Sequence, residues 1–496
     1  MKKILILVLA LIITGAASAQ FDKNAYEKQR QQMQDRFNQQ KNKAQQQFDD
    51  KLKKAVADYE AFRQRANEQY AAAMQRAWKQ MDVKPAVPRP KEPEPPKQTP
   101  PPDTKPTTNP LPQSEVVPVP EQPKAVPAPP IRDPEPATPT MQFNIYGTSC
   151  SIHTATEGLT FKLQGTDDNS LAATWKTLAQ KNYDGILHDC LSQRDNLHLG
   201  DWGYMRLLEG ASEKLLGKGT NEAVMLQMYL LTQSGYNVRL AKSNNKLLLL
   251  MPFNNTIYNY SYIPINGQDY YIITKDKGIK LSVCDLAFPK EQIASIQMSE
   301  LPVFNSNTQP KRKFSAQRFG TMTAQVGVDK SLIDFMNDYP LSSAWEYYSR
   351  AGLSETVKSD LYPALRTQIE GKSKQKAALM LLDFVQHAFQ YATDDDQFGY
   401  ERPLFGDESF YYPYNDCEDR SILYSILVRD LLGLDVVLVH WPGHLATAVA
   451  FPEGVEGDYF TIDGRRFTVC DPTYIGAGIG QTMDQFKNAK AKIVKL

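Results

Sequence analysis

Asn415-Asp416-Cys417-Glu418-Asp419-Arg420-Ser421, followed by Ile422, Leu423, Ile426, Leu427 and Leu431, is the stretch on which the fold turns. Its apolar positions recur at helical spacing, Asp416 is suited to an N-cap, and Gly433 suits a C-cap. The stretch therefore predicts a buried helix with Cys417 in its first turn. Unpaired amides and partial positive charge at a helix start favour a thiolate over a thiol. Glu418 and Asp419 oppose that effect if they face the sulfur, and another cation would then have to help.

The flanking segments read as the rest of an α+β unit. Lys376 to Tyr391 predicts an amphipathic helix, and Asp394 to Tyr414 an irregular aromatic loop made mobile by Gly399 and Gly406. Leu434 to His440 and His444 to Phe451 alternate as strands, with His440 packed at a strand end. Tyr459 to Ile462, the turn Asp463-Gly464, and Arg466 to Cys470 read as a hairpin that ends at Asp471-Pro472-Thr473. Consecutive antiparallel strands would bring His444 and Asp471 into one neighbourhood.

Asp-Cys-Glu-Asp on a helix, Gly-His opening a strand and Asp-Pro-Thr closing another resemble the transglutaminase-like branch of the papain-like superfamily. The resemblance covers about residues 370 to 480. It implies a papain/transglutaminase-like core, a cysteine-bearing helix packed on an antiparallel sheet. Cys417 matches the nucleophile, His444 the general base, and Asp471 the residue that orients the histidine. Leu445 stands where the family often has an aromatic residue. The second oxyanion donor is open among Gln397, Tyr411, Tyr412 and Tyr414, with the Cys417 amide as the first. The chemistry agrees with the triad logic of a thiolate, an imidazole that carries its proton, and a carboxylate that fixes the tautomer.

Residues 141–310 repeat the pattern. Asn221 to Leu226 opens an apolar helix ending near Gly235, and Gly235-Tyr236-Asn237-Val238-Arg239-Leu240 mirrors Gly433 to Leu438. At an offset of 198 residues, Cys417 maps to Gly219 and His444 to Lys246. This predicts a degenerate transglutaminase-like domain ahead of the catalytic domain at 311–496.

Toward the N-terminus the composition changes twice. Of the 33 prolines, 21 lie between Pro85 and Pro139, so 83–140 reads as a polyproline II linker, a stiff tether without a core. Residues 20–82 lack Pro and Gly, and their aromatics recur every eleven residues at Tyr26, Phe37, Phe48, Tyr59 and Tyr70, then Met81. A parallel row runs through Met33, Ala44, Ala55, Ala66 and Ala77. Eleven residues make three turns, so both rows stay on one face of a long helix or coiled coil. Such a stripe implies self-association or an envelope partner. Residues 1–19 have the grammar of a signal peptide: Lys2-Lys3, an apolar run from Ile4 to Ile13, then Ala17-Ser18-Ala19. That run is too short to span a membrane, and a periplasmic or extracellular location is expected.

Composition narrows the function. Fifty-six basic and 56 acidic side chains cancel, which argues against a nucleic-acid coat. No Cys-x-x-Cys, His-Glu-x-x-His or glycine-rich phosphate loop occurs, so neither a metal nor a cofactor is expected. Asp394-Asp395-Asp396 reads as an exposed acidic loop. A disulfide is expected between two of Cys150, Cys190 and Cys284, with Cys470 packed as a small apolar residue. The expected function is exported cysteine-dependent acyl transfer on a protein or cell-wall peptide, most simply amide hydrolysis. Amine-transferring cross-linking is the alternative enzyme, and a non-catalytic envelope scaffold the alternative class. The aromatic rows predict that residues 20–82 alone are helical and associate with concentration. Replacing Phe37, Phe48 and Tyr59 together by Ser should return the peptide to a monomer in analytical ultracentrifugation.

Overall fold

The computed structural model describes residues 23–93, 100–101, 107–121, 126–131, 133–134, 139–154, 159–273 and 280–496; the expected signal peptide lies outside them. A helix runs from Lys23 to Met74, and the described chain divides into two units, 23–61 and 62–496. In the first unit Met33 of one row and Phe37 and Phe48 of the other face outward, 60%, 60% and 61% exposed. In the second unit the same face is core: Ala66, Tyr70, Ala71 and Met74 are buried. Tyr70 packs on Trp175 at 4.5 Å between ring centroids. Asn67 exchanges hydrogen bonds with the Gln233 amide and accepts from Trp175 Nε1 at 3.0 Å.

The helix stops eight residues short of position 82. In chain order the first strands are β1 (Trp78–Asp82), β2 (Gln113–Val117), β3 (Thr140–Ile145) and β4 (Thr148–His153). Then come β5 (Arg239–Ser243), β6 (Lys246–Pro252), β7 (Tyr262–Ile265), β8 (Gln268–Ile272) and β9 (Lys280–Cys284). The C-terminal half adds β10 (Arg312–Ser315), β11 (Thr323–Val326), β12 (Val436–Trp441) and β13 (His444–Val449). It ends with β14 (Tyr459–Ile462), β15 (Arg465–Cys470) and β16 (Ala491–Lys495). β1 pairs antiparallel with β9, from Trp78 opposite Cys284 to Asp82 opposite Lys280. An available sheet edge therefore overrode the helical pattern that had placed Met81 on the rod.

Two six-stranded sheets organise the second unit. Their orders are β1-β9-β5-β6-β8-β7 and β2-β16-β12-β13-β15-β14, the same sequence of positions. Each sheet carries one helix ahead of its central hairpin, Asn221–Gln233 on β5 and β6, and Cys417–Leu432 on β12 and β13. They differ at one edge, since β1 is antiparallel to its neighbour and β2 is parallel. The halves are not separate domains, because one apolar core holds side chains from Ala66 to Val494. Both helices bury against that shared core.

The proline-rich stretch is no free tether where it is described. β2 completes the second sheet beside β16, and Arg89, Leu111 and Val126 are buried. Lys84 bridges Tyr262, and the Leu111 amide donates to Tyr459 O at 2.8 Å. Proline removes donors but leaves carbonyls and φ-restricted extended backbone, which suits a segment laid along a surface or sheet edge. All five cysteines are free and buried, so no bridge forms among Cys150, Cys190 and Cys284. The buried Asn67–Gln233–Trp175 cluster makes the rod's C-terminal end part of the body. Asn67→Ala should lower unfolding stability by about 2–4 kcal/mol, because it orphans buried donors; chemical denaturation followed by tryptophan fluorescence checks it.

Candidate functional site

Asp416 caps the helix that begins at Cys417: its side chain accepts from the Glu418 and Asp419 amides, and Asp419 Oδ2 accepts from the Asp416 amide at 3.2 Å. Gly433 closes the other end at φ 63, in the left-handed region that glycine tolerates. The Cys417 sulfur accepts a hydrogen bond from the Leu445 amide, and Ser421 Oγ donates to Leu445 O at 2.8 Å. The helix start is thus tied to the residue that follows His444.

His444 opens β13 and Asp471 directly follows β15. His444 Nε2 meets Asp471 Oδ2 at 2.8 Å, with both residues 2% exposed. The other carboxylate oxygen, Oδ1, accepts from the Thr473 and Tyr474 amides at 2.9 and 3.1 Å, which explains the Asp-Pro-Thr turn. Phe486 stacks on the imidazole at 5.2 Å and 5°. Nε2–H therefore points at a carboxylate, and Nδ1 is the nitrogen left to accept a proton.

Charge around the thiol is unusual. Burial pushes the Cys417 thiol well above its ordinary value, and the neighbouring Asp416 and Glu418 push it further. The Cys417 sulfur lies 3.7 Å from Glu418 Oε2. This reverses the expectation of a helix-stabilised thiolate, since burial first, and then Asp416 and Glu418, outweigh the helix end. Burial, followed by repulsion from Asp419 and Glu418, raises Asp394 to about 9. Burial and Glu418 raise Asp419 to about 8. Asp394, Glu401 and Glu418 each place an oxygen within 4.8 Å of the others. The cation that meets them is Arg89, whose Nη1 lies 3.2 Å from Glu418 Oε1 and 3.5 Å from Glu401 Oε2.

Several expectations change here. The acidic run forms a short helix, Asp394–Gln397, in which Asp394 is 3% exposed and accepts from the Arg402 amide while Asp395 and Asp396 are exposed. Gly406 is a packing residue rather than a hinge, since a Cβ there would sit 2.6 Å from Leu353 Cδ2. Phe405 and Phe410 belong to the core, while Tyr400 and Tyr414 are exposed. Gln397 Nε2 donates to Tyr414 O and its Oε1 accepts from the Tyr414 amide, while the Tyr412 hydroxyl donates to Asn337 Oδ1. His440 contacts Glu92 through Nε2 at 3.2 Å and packs at a tilt of 48° on Trp345. Two residues escaped the sequence reading. Asn415 is fully buried with neither side-chain amide atom partnered, and the Tyr391 hydroxyl is raised by burial and then by Cys417. Their nearness to Cys417 in the chain or in charge was the available signal.

The other half has the same joint with different chemistry. Asn221 starts its helix, and its Oδ1 accepts from the Leu247 amide at 2.9 Å. That is the bond the Cys417 sulfur receives from Leu445, so Cys417 corresponds to Asn221 rather than to Gly219. Lys246 opens β6 as His444 opens β13, and Ile273 follows β8 as Asp471 follows β15. A cavity of about 800 Å³ opens there, lined by Thr220, Lys246, Leu247 and Ile273 among others.

No family model, no curated protein and no solved structure matches the chain. No helix among the described residues is long and apolar enough to cross a membrane.

The raised carboxylates set a pH trend. An acid held more tightly in the folded chain than in the unfolded one stabilises at low pH, and that contribution is lost as pH rises through the folded value. Stability should therefore fall between pH 6 and pH 9.5. Asp394→Asn should reduce that fall by on the order of 1 kcal/mol, read from urea midpoints at the two pH values.

Proposed function

We propose that the chain is an exported cysteine-dependent acyl-transfer enzyme with a transglutaminase-like core, hydrolysing amide bonds through Cys417, His444 and Asp471. The observation that carries this reading is the 2.8 Å His444–Asp471 pair, joined through Leu445 to a cysteine at a buried helix start. The half built on Asn221 is then a second copy whose catalytic positions hold Asn221, Lys246 and Ile273.

In the proposed reaction His444 Nδ1 takes the Cys417 proton and the thiolate attacks the substrate carbonyl. The tetrahedral oxyanion meets the Cys417 backbone N–H at the helix start. His444 returns the proton to the amine as the C–N bond breaks, leaving a thioester on Cys417. Water, deprotonated by His444, then releases the acid and regenerates the thiol. Asp471 holds the imidazole tautomer and stabilises the imidazolium. Cross-linking differs only in that an amine replaces water.

A non-catalytic envelope scaffold is the second reading, favoured by the burial and protonation of the thiol. Cys417→Ala separates the two. It should abolish release of acid from glutamine-containing or cell-wall peptides, at least 10³-fold, with the fold unchanged by circular dichroism. His444→Ala should fall nearly as far, and Asp471→Asn should keep a small residual rate. Turnover in Cys417→Ala equal to wild type would sink the enzyme reading. With excess primary amine, free acid should still exceed conjugate; dominant conjugate would convert the assignment to cross-linking.

A further inference from the structure

We propose that the carboxylate pair Glu418 and Glu401 beside Cys417 is a subsite for the guanidinium of an arginine in the substrate, filled in the resting chain by Arg89 of its own proline-rich segment. This rests on the acyl-transfer reading above. Glu418 is the link. One of its oxygens lies 3.7 Å from the Cys417 sulfur, and the other faces Arg89 Nη1 at 3.2 Å. Glu418 is 2% exposed, and a buried carboxylate touching the nucleophile opposes thiolate formation unless a cation compensates it. Glu401 supplies the second carboxylate, and the Arg89 guanidinium lies 5.5 Å from the Trp345 ring centroid. Two carboxylates and an indole face suit a planar guanidinium better than a point-charge ammonium.

Arg89 fits as a displaceable occupant. A single nitrogen serves both carboxylates, at distances longer than the ~2.8 Å of a strong charge-assisted bond. Its Nε is buried without an acceptor, and so is Trp345 Nε1. The rest of the segment is pinned by polar contacts to His440, Gly443, Glu401 and Asp395. Glu92 Oε2 meets His440 Nε2 at 3.2 Å and accepts from the Gly443 amide at 3.4 Å, one residue before His444. The Glu92 amide donates to Glu401, and Lys91 pairs with Asp395. Prolines 88, 90 and 93 keep this stretch extended. A substrate chain carrying arginine would take the place of this segment and supply the cation that Glu418 requires.

The full chain with Cys417→Ala tests binding without turnover, using Nα-acetyl-arginine amide as probe and Nα-acetyl-citrulline amide as the neutral control. Adding Arg89→Gln should tighten acetyl-arginine amide binding at least 10-fold by calorimetry, and arginine should exceed citrulline at least 10-fold. Because Arg89→Gln leaves buried acids unpaired and can compromise folding, Glu92→Gln with Cys417 intact is the second arm. It loosens the segment while keeping Arg89, and should speed iodoacetamide labelling of Cys417 at least 5-fold, with acetyl-arginine amide slowing the labelling again. Equal binding of arginine and citrulline amides, calcium binding without guanidinium binding, or unchanged labelling in Glu92→Gln would overturn the subsite. Arginine-selective binding without any peptide hydrolysis would instead overturn the enzyme reading and leave the subsite standing.

Discussion

A helix that begins Asp416-Cys417-Glu418-Asp419 and is buried from its first residue must find protons or cations for three carboxylates. Two of them are used as helix caps, Asp416 toward Glu418 and Asp419, and Asp419 back toward Asp416 and Leu404. The third, Glu418, cannot cap and takes Arg89 from more than three hundred residues away. Desolvation makes an isolated buried carboxylate far too costly, so this pairing couples a remote segment to the start of the helix. The position of the proline-rich chain follows from it.

That segment shows how composition and role can part. Polyproline sequence has no core of its own, yet it can lend strands and side chains to a core built by others. β2 extends one sheet, and Leu111 and Val126 join the apolar clusters of the second unit. The described proline-rich chain is consequently a component of the body, and its Arg89 pairs with the residue next to Cys417.

The two sheets offer an internal comparison. Both use the helix start to bind the second residue of the first strand after the central turn, through Asn221 in one half and Cys417 in the other. An asparagine oxygen and a cysteine sulfur can each accept that amide, so the joint survives the exchange of chemistry. Lys246 and Ile273 cannot reproduce an imidazole–carboxylate pair. The halves thus share architecture while only one holds a cysteine, a histidine and an aspartate at these three positions.

Local signals determined much of this from the residues alone. The Asp416 cap, the Gly433 end, the Asp463-Gly464 turn and the alternation in β13 to β15 are encoded within a few residues each. Strand order then places His444 against Asp471, as their positions at strand ends implied. Other features depended on partners distant in sequence. Trp78–Asp82 became a strand because β9 offered an edge, the five cysteines stayed free and buried, and the aromatic loop split into core and surface. The protonated state of Cys417 was also tertiary. A helix start and a row of acids are visible in sequence, but which wins depends on desolvation, and desolvation exists only once the chain has closed over the site.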